Sequence, residues 1–270
     1  MSFLEDLFPS AKGPPPDELP WDDAEIAARV RRAVLEQARA KTEAAARHAE
    51  KQRRLGKPVN PGSRSGITSG QHLNAFRDVL DEVARVAQVA HECSGTDVGL
   101  PGFYRATKNW DWLQVRRRRL VTAVELKSMA GSESNNTNNR IEEALGLAFD
   151  FWSAYHAGLL GEKAMSDGGV APRRPWVGFV YVMENNGGDS LTRTITNDPT
   201  RFPVEREFRS ASRTRRFELL GDRLVSTGQF DAVAFMITNE DGTTQEGPHD
   251  ISFAAFARSL YRHLRRSAAD

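Results

Sequence analysis

Residues 110–127 read WDWLQVRRRRLVTAVELK. Two short runs of β-forming residues, 110–115 and 120–126, flank Arg116, Arg117, Arg118 and Arg119. Two such runs joined by four polar residues predict an antiparallel hairpin. Side chains alternate along a strand, so Glu125 and Lys127 share one face, while Val124 and Leu126 take the other. Asp111 starts the first strand, fourteen positions before Glu125, and the hairpin brings it beside Glu125. Two carboxylates and an ammonium group thus converge at a strand end.

Such a trio has a chemical use. Two hard carboxylates side by side repel unless a cation lies between them, and Mg²⁺ prefers a few carboxylates completed by water and phosphate oxygens. A bound metal offsets charge on a phosphodiester and acidifies a water. A neighbouring ammonium orients that water and stabilises negative charge; it acts as a base only if its pKa is lowered. The orienting role is the expectation for Lys127. Spacing alone leaves a plain alternative open, because Val-Glu-Leu-Lys also arises on any solvated strand face. The upstream Asp111 and the polar, Asn-rich residues 128–139 favour the chemical reading.

Outward from the hairpin, the pattern predicts a mixed α/β order. A long polar helix is expected over 24–55, with a thin apolar stripe of Ile26, Val30 and Val34, and then a loop over 57–66. Thr68 and Ser69 are expected to cap an amphipathic helix presenting Leu73, Phe76, Val79, Leu80, Val83 and Val86. After the loop 128–139, a helix over 140–160 is expected, with Asn139 as its N-cap and Glu142 and Glu143 in its first turn. Residues 176–183 (WVGFVYVM) suit a strand buried on both faces. A basic helix over 204–220, a strand over 230–238 and a helix over 253–264 complete the order.

The 270 residues and 30.0 kDa suffice for one large domain. No apolar run approaches the ~18 residues of a membrane span. The start MSFLEDLFPSAKGPPP lacks a basic region and an apolar core, so no secretory signal is expected, and the expected location is cytoplasmic. The single cysteine, Cys93, excludes an internal disulfide and a multi-cysteine metal site. The net charge of +1 hides an asymmetry: residues 1–25 carry seven acids and one base, so the remainder carries +7. Residues 1–21 read as a flexible, acidic, proline-rich leader, and 22–270 as a single domain that includes the long helix. A mildly basic body is compatible with a nucleic-acid partner.

Here a resemblance enters. Asp111 with Glu125-Leu126-Lys127 resembles the PD-(D/E)xK nuclease signature, Trp-Asp standing for Pro-Asp. Leu100-Pro101-Gly102-Phe103-Tyr104-Arg105, Lys108-Asn109-Trp110-Asp111, and the run Asn135-Asn136-Thr137-Asn138-Asn139-Arg140-Ile141-Glu142-Glu143 resemble the XhoI-type family of type II restriction endonucleases. The likeness covers roughly residues 60–240 and is densest over 100–155. It implies a restriction-endonuclease-like core, a mixed sheet flanked by helices. It further implies a homodimeric, Mg²⁺-dependent enzyme cutting a short palindrome in double-stranded DNA, with CTCGAG as the site known members read. A cognate DNA methyltransferase is implied as a genetic partner only. Carried over, Asp111 and Glu125 bind metal, and Lys127 is the catalytic lysine. The loop Gly131-Ser132-Glu133-Ser134 and the four-arginine turn depart from the family pattern. Two other functions fit the same residues: a repair or structure-selective nuclease of this fold, and a sequence-specific DNA-binding protein that no longer cuts.

Asn bonds bidentately to adenine and Arg to guanine in the major groove. Asn135, Asn136, Asn138, Asn139 and Arg140 follow the active-site strand and are candidates for contact with DNA, with Glu142 and Glu143 as supporting groups. Arg213, Arg215 and Arg216 in the basic helix are candidates for phosphate contact. Arg116–Arg119 form either a phosphate clamp or a solvated turn. Asp78, Asp81 and Glu82 read as exposed helix charges, with a further acid near the metal as the other reading. The six histidines show no ligand spacing.

Overall fold

A computed structural model describes residues 18–57, 73–89, 99–116, 119–129, 133–160, 174–185, 202–239 and 241–268. Its centre is a five-stranded sheet in the order β3 (Trp112–Arg116), β4 (Arg119–Met129), β5 (Trp176–Glu184), β6 (Ala232–Thr238) and β7 (Thr244–Glu246). β4, β5 and β6 are parallel; β3 and β7 are antiparallel edges. β5 and β6 are buried almost end to end, as their continuous apolar runs require. Two three-residue strands, β1 (Gly99–Pro101) and β2 (Thr107–Asn109), form a separate antiparallel ribbon ahead of the sheet.

Both faces of the sheet are covered. On one face pack α1 (Asp23–Arg54), α2 (Asn74–Val86) and α5 (Phe253–Ala268), whose apolar residues join Trp112, Val124, Leu126 and Val180 in one core. On the other, α3 (Glu133–His156) and α4 (Arg213–Ser226) enclose a second core with Leu113, Ala123, Phe179, Tyr181 and Phe235. The alternation expected for the hairpin is present: Val124 and Leu126 enter the first core, so Glu125 and Lys127 face the side of α3. α1 starts with a capping box, Asp22 accepting from Glu25 N and Glu25 from Asp22 N. It contributes one narrow buried edge (Ile26, Val30, Ala33, Val34 and Gln37) and is braced to α2 by Arg29 on Glu82 at 2.9 Å. Leu19 and Trp21, the end of the expected leader, are buried in the first core. Residues 1–17, the expected caps Thr68 and Ser69, and Cys93 lie outside the described residues.

Several expectations need correction. The arginine connection is shorter than four residues: Arg116 and Arg119 are paired strand residues, and only 117–118 lie between them. Arg116 donates to the Ser267 carbonyl near the end of α5, so it ties the sheet to a helix C-terminus. It stands at the far end of β3 from Asp111, about 17 Å away at the usual strand rise. The expected loop over 128–139 does not exist as such. β4 runs on to Met129, and α3 begins at Glu133, so Asn139 lies inside the helix and is not its N-cap. The helix propensity of Asn is only about 0.7 kcal/mol worse than that of Ala, and burial of Thr137 in the same turns holds them helical. The basic helix expected over 204–220 is broken: Ser210 adopts φ 61°, and Ser212 caps α4 by accepting from Arg215 N at 3.1 Å. Of the five arginines over 204–220, Arg213, Arg215 and Arg216 are in α4, and Arg206 and Arg209 precede it. Asp81 accepts from Trp112 Nε1 at 2.8 Å on the face opposite Glu125, and Glu82 is held by Arg29 and Arg32, so neither joins the trio.

Candidate active site

Trp112 pairs with Val124 and Leu113 with Ala123, so extending the register by one residue sets Asp111 opposite Glu125. The Asp111 side chain turns along the edge of β4 and accepts from Leu126 N at 2.8 Å through Oδ2. Sheet pairing with β3 ends at Trp112, and this carboxylate satisfies the next amide that would be orphaned. Glu125 is buried, its side chain 2% exposed. Its two oxygens are both taken by ammonium groups: Oε1 by Lys127 Nζ at 2.5 Å and Oε2 by Lys108 Nζ at 2.8 Å. The three residues predicted from the hairpin therefore meet, and a fourth, Lys108 from β2, joins them.

The electrostatics follow from burial. Desolvation and the adjacent Glu125 charge push the Asp111 carboxyl above its ordinary value, and the Leu126 N–H, Lys127 and Lys108 offset this only in part. Burial alone would lower the Lys127 ammonium. The charge and hydrogen bond of Glu125, with Asp111 and Glu143 beyond it, outweigh that and raise it. A lysine held protonated suits orientation and charge stabilisation, and not proton abstraction.

For Asp111 the shift has a thermodynamic consequence. The folded chain keeps this proton over a pH range in which the unfolded chain has released it, so stability falls as pH rises through that range. Asp111→Asn keeps an oxygen acceptor for Leu126 N and removes the ionisation. Thermal melts at several pH values should show the variant at least as stable as the parent at neutral pH, with a shallower decline from acid to neutral. A lower melting temperature at pH 7 would contradict this account.

A cavity of about 530 Å³ opens over Glu125 and Lys127, lined also by Arg105, Lys108, Asn139, Glu142 and Glu143. Asn139 and Asn138 are exposed near the start of α3. Arg140 is half-buried and pairs with Glu143. Asn135 and Asn136 lie in the first turn of α3, and their side chains lie outside the described residues. Glu142 and Glu143 border the cavity. Arg213, Arg215 and Arg216 do not line it. Arg215 is engaged with Glu218 at 3.1 Å, and Arg216 is half-buried.

The residues present fit a divalent metal. Among the described residues no three His, Cys, Asp or Glu side chains form a metal cage. Mg²⁺ asks for less: one or two carboxylates, with water and phosphate oxygens completing its shell. The cavity lining carries three acids (Glu125, Glu142 and Glu143) against three bases (Arg105, Lys108 and Lys127), a balance with no net pull on a phosphate until a cation is added.

Lys108, Arg105, Asp150 and Gly102 were not among the site residues expected from the sequence. Lys108 sits on a ribbon separate from the sheet, so no strand periodicity relates it to Glu125. Arg105 is presented to the cavity by a loop that Asp150 of α3 holds in place: Asp150 accepts from Phe103 N at 3.0 Å and Tyr104 N at 2.8 Å, and pairs with Arg105 Nε at 2.9 Å. Gly102 is needed in that turn, because a Cβ there would meet Arg105 and Asp150 within 3 Å. The only sequence signal for these residues was their place within the stretches that carried the family resemblance.

Comparison with known proteins bears on this site. The family described as restriction endonuclease XhoI matches residues 51–250. The chain is similar to the type II restriction enzyme BstVI of Geobacillus stearothermophilus, with 33% identity over 220 residues, 77% of this chain and 93% of that protein. It is similar to the type II restriction enzyme XhoI of Xanthomonas vasicola, with 34% identity over 172 residues, 62% of this chain and 65% of that protein. It is also similar to the type II restriction enzyme AbrI of Azospirillum brasilense, with 46% identity over 99 residues, 36% of this chain and 40% of that protein. No solved structure matches it significantly.

Proposed function

Because the chain belongs to the XhoI family of type II restriction endonucleases, we propose that Asp111, Glu125 and Lys127 are its PD-(D/E)xK catalytic residues and that it makes Mg²⁺-dependent double-strand cuts at a short palindromic site, CTCGAG. The observation that carries this reading is the buried Glu125 carboxylate, held between Lys127 and Lys108 in the lining of a cavity, with Asp111 opposite it in the strand register.

In this reading Asp111 and Glu125 hold Mg²⁺, which when bound stabilises charge on the phosphodiester and acidifies the attacking water. Lys127 orients that water and offsets charge on the phosphate. Arg105, at the cavity rim, positions the DNA backbone. Asn138, Asn139 and Arg140 lie in the second turn of α3, where Asn139 lines the cavity, and Asn135 and Asn136 precede them on the same helix. These are the base- and phosphate-contacting candidates. Arg213, Arg215 and Arg216 are on α4, which covers the same face of the sheet, and take phosphates outside the cavity. A palindromic target is matched by a homodimer with two-fold symmetry, which presents two such sites to the two strands. The enzyme works in the cytoplasm, where a cognate methyltransferase protects the host's own sites. Among the described residues no helix is long and apolar enough to cross a membrane.

Digestion of a plasmid carrying one CTCGAG site tests the whole reading. With Mg²⁺ the expected product is a single linear molecule cut at that site, and EDTA should abolish it. Degradation from DNA ends without discrete fragments would favour a repair nuclease. A sequence-specific gel shift with no cutting at any Mg²⁺ concentration would favour a binding protein.

A further inference from the structure

Lys108 is the unexplained member of the site. It comes from β2, outside the sheet, paired with Leu100 of β1. Its side chain is 21% exposed, whereas the Glu125 side chain it contacts is 2% exposed. A carboxylate buried to that extent must be paired. Lys127, two residues along the same strand as Glu125, is the lysine already assigned to the attacking water. Lys108 can leave, because its long flexible side chain reaches in from the cavity wall. Its ammonium also donates to the Asn109 carbonyl and lies 5.6 Å from the Trp110 ring centroid.

A divalent ion and an ammonium group cannot share the Glu125 Oε2 position, since like charges at that distance repel strongly in a buried site. We propose that Lys108 is an exchangeable counter-ion: it occupies Oε2 of Glu125 in the free protein and suppresses metal binding there, and the DNA backbone draws it away. The inference rests on the metal-binding reading of Asp111 and Glu125. The ammonium holds Glu125 in its ligating position and keeps the buried charge paired until the substrate arrives. A phosphate entering the cavity offers Lys108 an alternative partner, which frees Glu125 for the ion. Metal and DNA then bind with positive coupling, and linkage requires each to strengthen the other by the same factor.

The test is calorimetric titration of the full-length protein with Mg²⁺ in the absence of DNA, for the parent, Lys108→Met, Lys108→Arg and the double variant Lys108→Met with Glu125→Gln, each checked for folding by circular dichroism. Lys108→Met should bind Mg²⁺ on the order of tenfold more tightly than the parent. Lys108→Arg, which keeps the cation, should stay as weak as the parent. Equal or weaker Mg²⁺ binding by Lys108→Met overturns the proposal. If Glu125→Gln added to Lys108→Met leaves its tight isotherm unchanged, the metal-binding reading of Glu125 itself fails, a different result. A second measurement reads the other half: without metal, the salt dependence of DNA binding should lose about 0.9 from its log–log slope in Lys108→Met, one phosphate contact. An unchanged slope overturns the claim that DNA receives this ammonium.

Discussion

Glu125→Gln is expected to reduce DNA cleavage by about 10²- to 10³-fold or more while leaving DNA binding in place. The substitution preserves shape and changes charge at the most buried group of the site. The amide loses the negative charge shared by the two oxygens, Oε1 facing Lys127 at 2.5 Å and Oε2 facing Lys108 at 2.8 Å. At least one of its two positions must now present an N–H to an ammonium, and the local cation balance shifts against a divalent ion. Because the side chain is only 2% exposed, solvent screens little of the lost interaction. The measurement is the linearisation rate of a single-site plasmid under Mg²⁺, alongside a gel shift in EDTA. Cleavage within about tenfold of the parent would remove Glu125 from the chemistry, since a charge-stabilising group in a buried site contributes far more than that.

The second large effect concerns the opposite face of the sheet. Phe256→Ala should cost about 3–5 kcal/mol of stability, toward the upper end for a buried aromatic. Phe256 is fully buried on α5, edge-on to Trp176 with ring centroids 5.2 Å apart. Both rings cover Gly178, where an added Cβ would stand 2.7 Å from Phe256 and 2.5 Å from Trp176. β5 thus meets α5 at a position with no side chain. Removing the ring leaves a hole that the strand has nothing to fill, and the cost of a cavity rises with how little the site can collapse. Gly178→Ala alone should destabilise by overpacking, by about 1–3 kcal/mol. In the Phe256→Ala background the same methyl should cost less, because Trp176 can shift into the vacated space. Chemical denaturation of the two single variants and the double variant measures the coupling. Additive losses would refute the shared-cavity explanation.

How much of this was legible beforehand depended on whether the controlling interaction was local. The hairpin, the shared face of Glu125 and Lys127, and the opposite placement of Val124 and Leu126 follow from the period-two alternation of a strand, which operates over adjacent residues. The apolar runs over 176–183 and 230–238 were readable as strands because they are short and continuously apolar, and the strands Trp176–Glu184 and Ala232–Thr238 are buried almost throughout. Boundaries set by competing weak preferences were not readable. Asn135–Asn139 looked like a loop because Asn favours turns, yet packing of α3 makes them helical. The basic segment looked like one helix because arginine is a good helix former, yet Ser210 and Ser212 divide it.

The order of residues along the chain was enough to determine the mixed α/β class, the pairing of two strands around an arginine turn, and a trio of two acids and a lysine on one face, because each rests on contacts between near neighbours in a regular strand. Only the tertiary structure decided what surrounds that trio. Lys108 reaches Glu125 from a separate ribbon, Asp150 reaches back forty-odd residues to brace the turn that carries Arg105, and α3 sets Glu142, Glu143 and Asn139 over the same cavity. Each of these contacts joins elements that have no common periodicity, so their meeting follows from how two cores pack on opposite faces of one sheet.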